Sequence, residues 1–218
     1  MKKRILLTLL VMALLVSVAV FTTQAAAENI TQPCPHCGGN NATFQPWGGT
    51  VASGHYYLSE NYNTKQIKPG SGVDLVLDLR GNTLNQASDR SLFVNGGTVT
   101  ILDTDVDDNP ATTGTISGGN TVWGGAVYVG SGRLNIYGGK IQGSKTTTNG
   151  GSLYMNNGAV VMYGGTILGG TSTNGGTVYV NAGNFTLKDG ATIQGGTASD
   201  AGGTMYVKGG TFQMDGAP

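Results

Sequence analysis

Three clusters in this 218-residue chain hold side chains of the types that do chemistry. The first is Cys34-Pro35-His36-Cys37, which contains both cysteines of the protein. Two thiols at this spacing can close a local disulfide in an oxidising compartment or supply half of a zinc site. Zinc needs four ligands, and Cys34, Cys37 and His36, even with His55, do not complete a convincing set within one chain. The expectation is therefore a disulfide or two free thiols, with zinc shared between chains as the next reading. A redox-catalytic pair needs a helix N-terminus to stabilise its thiolate, whereas Gly38-Gly39-Asn40-Asn41 follows here. The second cluster is Asp103, Asp105 and Asp107, whose alternating oxygens superficially suit a calcium cage. The turn position that should be glycine is Asp108, and the closing glutamate position is Gly114, so a solvated acidic loop ending at Pro110 is expected. The third is the carboxylate pair Asp74 and Asp78. Four residues along one strand separates their Cα atoms by about 13 Å, beyond the separations that glycosidases use. These residues give no catalytic site, and the chain is expected to be non-enzymatic and to carry no cofactor.

A fourth group lies in a motif that returns four times. Gly124-Gly125-Ala126-Val127-Tyr128-Val129 is followed by equivalents around Tyr154, Tyr179 and Tyr206, with the tyrosines 26, 25 and 27 residues apart. If each Φ-Tyr-Φ triplet is a strand, the four rings stack on one exposed face beside Ala126, Ser152, Thr177 and Thr204. Such rings offer flat apolar faces with polar tips, suited to a sugar or a protein partner. The same stack also stabilises a sheet simply as an aromatic ladder.

The elements that position these rings follow from the rest of each period. A second alternating segment comes next, as in Leu134-Asn135-Ile136-Tyr137 and Val160-Val161-Met162-Tyr163, then a third centred on Ile141, Ile167 or Ile193. Strands this short, with a period of two, exclude helices. Three strands per period, joined by Gly, Asn and Asp turns, describe one coil of an all-β, right-handed parallel β-helix, or β-solenoid. Val127, Leu153, Val178 and Met205, then Val129, Met155, Val180 and Val207, point inward; Ile136, Met162, Leu187 and Met214 line a second sheet. Asn149-Gly150 and Asn174-Gly175 supply corners at positive φ. Leu92 to Ile101 and Val73 to Leu79 extend the pattern backward past a loop near Asp103 to Thr113. The count is about six coils of 25–27 residues, spanning 54–218.

Gly-Gly-x-Val-Tyr-Val, the turn from Gly164 to Ile167, and the leader His55-Tyr56-Tyr57-Leu58 with Val76-Leu77-Asp78-Leu79 resemble secreted bacterial right-handed β-helix repeat proteins of the pectin-lyase-like fold. The likeness covers about Gly54 to Gly216. It implies an adhesin-like or structural surface protein, binding carbohydrate or a protein partner. It also admits a polysaccharide-active lyase or glycosidase, or a fragment of one, because the fold hosts both. Enzymes of that fold gather carboxylates with Arg or Lys on one sheet face; the matching face here presents Tyr, Thr, Ser and Ala.

The ends complete the expectation. Residues 1–27 read as a secretory signal, with Lys2, Lys3 and Arg4 before the apolar run Ile5 to Phe21 and a cleavage site at Ala25-Ala26-Ala27. Its removal leaves nine basic residues against 12 acidic ones, a charge of about −3 that excludes nucleic acid as a partner. Residues 28–53 form a short N-terminal segment holding the cysteines. The chain stops midway through a coil at Asp215-Gly216-Ala217-Pro218, so the expectation is an uncapped end that stacks on another chain or continues into a longer protein.

Overall fold

The computed structural model describes residues 27–63, 65–104, 113–143 and 145–216. The expected signal segment, residues 1–27, lies outside them except for Ala27, as do Asp105 and Asp107.

A complete coil runs through Leu153–Met155, Ala159–Met162, Thr166–Leu168 and Thr171–Asn174. Each segment pairs in parallel with its equivalents in the coils on either side. Leu153 faces Val127 and Val178, Val160 faces Leu134 and Phe185, and Ile167 faces Ile141 and Ile193. The fold is an all-β parallel β-solenoid of about five turns. That is one turn fewer than the repeats suggest, because the earliest segment is not a full coil. Asp74–Asp78 and Thr83–Gln86 stand in the second and third columns, but Ile67 alone bridges to Leu92 in the first.

The coil also has four strands rather than the expected three. The additional column is Thr121–Trp123, Thr146–Asn149, Thr171–Asn174 and Thr197–Ala201. Its inward side chains, Thr146 and Ser172, are buried yet polar, so it shows no apolar alternation. It projects from the main body through a narrow neck where backbones touch. A Cβ on Gly118 would lie 1.9 Å from the Gly125 carbonyl oxygen, and one on Gly143 1.8 Å from that of Gly151. At the base of the next column, Gly124, Gly150, Gly175 and Gly202 turn the chain at φ of 61–66°, the left-handed region that glycine enters without strain.

Ala126, Ser152 and Thr177, expected to border an exposed face, are fully buried at this neck. The Ser152 hydroxyl accepts the Gly143 amide at 2.8 Å and faces the carbonyls of Leu168 and Gly169. Thr177 donates to the Gly195 carbonyl at 2.9 Å. These small polar residues hold the neck closed, which is why bulky side chains do not occur there.

The main core fills with Leu75, Leu77, Val99, Ile101, Leu134, Ile136, Leu153, Met155, Val178 and Val180 among others. Each such side chain contributes about 1.5–3 kcal/mol by leaving water. Trp47, Val51, Tyr56 and Tyr62 close the N-terminal end of the stack, with Trp47 edge-on to Tyr56 at 5.2 Å. At the other end, Val207 and Met214, expected in the core, are 41% and 58% exposed because no described coil follows them.

Ile30–Pro33 and Asn41–Pro46 form an antiparallel hairpin that then joins the second column through Gln45 and Tyr56. Its Phe44 and Cys34 pack with Tyr57, Val76 and Leu102 as a small outer core. A buried carboxylate clasps the hairpin in place. Asp78 Oδ2 accepts bonds from Gln32 Nε2 and Thr104 Oγ1, while Oδ1 accepts the amides of Thr104 at 2.9 Å and Arg80 at 3.2 Å.

Candidate functional site

Strand alternation carries every second residue of the first column outward. Tyr128, Tyr154, Tyr179 and Tyr206 accordingly stack with centroid separations of 5.2, 5.2 and 5.3 Å. The ladder has a fifth ring that the sequence reading missed. Phe93 lies parallel to Tyr128 at 4.8 Å, with an interplanar angle of 2°. Leu92-Phe93-Val94 has the right alternation, but no Gly-Gly pair precedes it. Cations gather at that end: Lys68 Nζ sits 4.8 Å from the Phe93 centroid, and the Arg90 guanidinium 5.0 Å from that of Tyr128. Contacts of this kind add about 0.5–1 kcal/mol each where solvent reaches them.

The stack differs from the open aromatic face that the sequence suggested. Tyr154 and Tyr179 are only 8% and 5% exposed, because each ring face lies against the ring of the next coil. A ligand therefore meets ring edges and phenol tips along most of the column rather than flat faces. Trp123, 42% exposed and 6.1 Å from Tyr154, offers an open indole beside it. On the second column Tyr137 and Tyr163 form another stacked pair at 4.4 Å.

Burial raises the hydroxyl pKa of Tyr154, reinforced by Tyr128 and Tyr179; burial likewise raises Tyr179, reinforced by Tyr206, and Tyr137, reinforced by Tyr163. The folded state thus holds these protons more tightly than the unfolded chain, whose tyrosines ionise near pH 10. Stability is fully present below that pH and falls as pH rises through the raised folded values. Thermal melts at increasing alkaline pH, read beside tyrosinate absorbance, are expected to show the melting temperature dropping before Tyr137, Tyr154 and Tyr179 ionise. Ionisation of Tyr137, Tyr154 and Tyr179 near pH 10 in the folded protein contradicts this.

The remaining candidates separate into distinct roles. Cys34 and Cys37 are joined in a disulfide on the hairpin turn. Asp103 Oδ1 accepts the Gly81 amide at 2.9 Å and Oδ2 the Gly114 amide at 2.8 Å. It therefore acts as a latch between consecutive coils. Asp74 stands on an exposed position of the same strand that buries Asp78, so the two carboxylates do not converge.

Comparison of the chain with known protein families, curated proteins and solved structures finds no match.

Proposed function

We propose that this chain is a secreted, non-enzymatic β-solenoid serving as a surface structural or adhesin-like binding module, akin to the pectin-lyase-like repeat proteins. The observation that carries this reading is the in-register ladder of Phe93, Tyr128, Tyr154, Tyr179 and Tyr206. It sets phenol groups at regular coil spacing along one side of a rigid rod, with Trp123 beside them. Extended polymers with repeating hydroxyls, such as polysaccharides, match a periodic row of donors and acceptors, and a flat protein partner uses the same aromatic edges. The disulfide supports an oxidising, extracellular setting. The engagement of Asp78 by four donors weighs against the rival reading of a glycosidase or lyase acting through the Asp74 and Asp78 pair.

The test is a glycan array probed with the purified chain and with a variant carrying phenylalanine at 128, 154, 179 and 206. The variant keeps the stacked rings and removes only the hydroxyls. Loss of binding by at least about tenfold is expected, from several hydrogen bonds of about 0.5–1.5 kcal/mol each. Equal binding by both proteins moves the contact off the ladder, and no binding by the folded parent leaves a structural rod. Appearance of new chain ends in a bound polysaccharide would instead establish an enzyme.

A further inference from the structure

The hairpin turn and the first strand of the second column bring together groups that the aromatic ladder does not use. One ligand atom from each of Cys34, Cys37 and His55 lies within 4.8 Å of the other two. Cys37 Sγ is 2.9 Å from His55 Nε2. We propose that, with the disulfide reduced, Cys34 Sγ, Cys37 Sγ and His55 Nε2 form a three-ligand site for zinc or a similar divalent cation, with solvent in the fourth position.

The scaffold around these atoms is already set. The Cys34 carbonyl accepts the amides of Cys37 and Gly39 at 2.9 and 3.1 Å, and Cys34 N–H donates to the Asn40 carbonyl at 3.0 Å. Gly38 turns the chain at φ 72°. This tight turn presents both sulfurs to the same side. His55 is held by pairing opposite Val76 in the sheet and by its ring, edge-on to Phe44 at 5.1 Å. A disulfide sulfur is a weak acceptor and gives an imidazole little reason to approach so closely. A tetrahedral ion with Zn–S near 2.3 Å and Zn–N near 2.0–2.1 Å would set the sulfurs about 3.8 Å apart and each about 3.6 Å from the nitrogen. Those separations fall within the 4.8 Å that encloses the three ligand atoms, and reaching them requires the sulfurs to part from each other once the disulfide is reduced. Cys37 and His55 are half-buried, which leaves a path for the ion. His36 is turned away toward Thr100 at 3.3 Å and Asp74 at 3.7 Å.

Metal and disulfide are alternative states of the same sulfurs. A dithiol or phosphine reductant supplies two electrons and, with two protons, converts the S–S bond into two thiols. On metal binding each thiol releases its proton to solvent, and the two thiolates neutralise the divalent charge. The states differ mechanically as well. The disulfide closes a loop within the turn, whereas the metal ties that turn to a strand of the solenoid through His55.

The test uses the full chain reduced with a phosphine under nitrogen and titrated with Co²⁺, then Zn²⁺. The expected result is one Co²⁺ per chain, with thiolate-to-cobalt charge-transfer absorption and tetrahedral d–d bands that Zn²⁺ abolishes. His55→Ala retains both sulfurs and is expected to weaken binding at least about a hundredfold, since even outer-shell partners cost 10–100-fold. The imidazole resonances of His55 in the parent report its ligation directly, so the result stands even if that variant folds poorly. Failure of the reduced, folded parent to bind Co²⁺, unshifted His55 resonances at saturation, or equal binding by the oxidised protein would each overturn the proposal.

Discussion

Asp78→Ala is expected to cost about 3 kcal/mol or more, because it removes the shared acceptor of four donors in a site closed to water. The carboxylate is fully buried, and its partners come from three places: Gln32 in the hairpin, Arg80 beside it in sequence, and Thr104 one coil on. Alanine leaves the amides of Arg80 and Thr104 without that acceptor and opens a polar hole that no apolar neighbour fills. The hairpin should loosen first, exposing Phe44 and the Cys34 side of the outer core. Urea unfolding read through Trp47, buried at the N-terminal plug, checks this. Asp78→Asn keeps one acceptor oxygen and is expected to fall between the two. A loss under about 1 kcal/mol for the alanine variant would mean that water replaces the carboxylate at little cost.

Gly143→Ala is expected to destabilise by about 3 kcal/mol or more, at the upper end of what overpacking does. The added carbon would sit 1.8 Å from the Gly151 carbonyl oxygen and 2.3 Å from the Ser152 Cα. Both are backbone atoms, so no rotamer change relieves the clash. The neck must open, and with it the 2.8 Å bond from the Gly143 amide to the Ser152 hydroxyl. Gly48→Ala is the control: a Cβ there meets nothing within 4 Å, and its φ lies outside the left-handed range. That change is expected to stay within about 0.5 kcal/mol. Equal melting temperatures for the two variants would show that the neck is plastic.

The parts of this fold that a reader can find in the sequence are those in which one residue type recurs at one position. Val127, Leu153 and Val178 are apolar because they face the core, and Tyr128, Tyr154 and Tyr179 repeat because in-register pairing places like upon like. The threonine column was hidden because its inward positions, Thr146 and Ser172, are small and polar rather than apolar, with Ser172 donating to the Asn174 carbonyl at 2.8 Å. Phe93 was hidden because its coil lacks the glycine pair that flags the others. The ring spacing was legible, but its consequence for access was not: stacking at 5.2 Å consumes the faces that a sugar would cover. The Asp78 clasp joins residues 46 positions apart, and no local pattern announces it. The approach of His55 to the cysteines likewise depends on the hairpin folding back over the sheet.

The register between coils makes length an adjustable property of this molecule. Each turn presents to the next the same arrangement that it receives from the one before: Leu153 meets Val127 on one side and Val178 on the other. A duplicated stretch of about one period would therefore bring its own tyrosine, its own neck glycines and two matching edges. The rod would grow by about 4.8 Å per copy with no new packing problem to solve. Reach can then vary by genetic slippage alone, while the hairpin clasp and tryptophan plug stay untouched at one end.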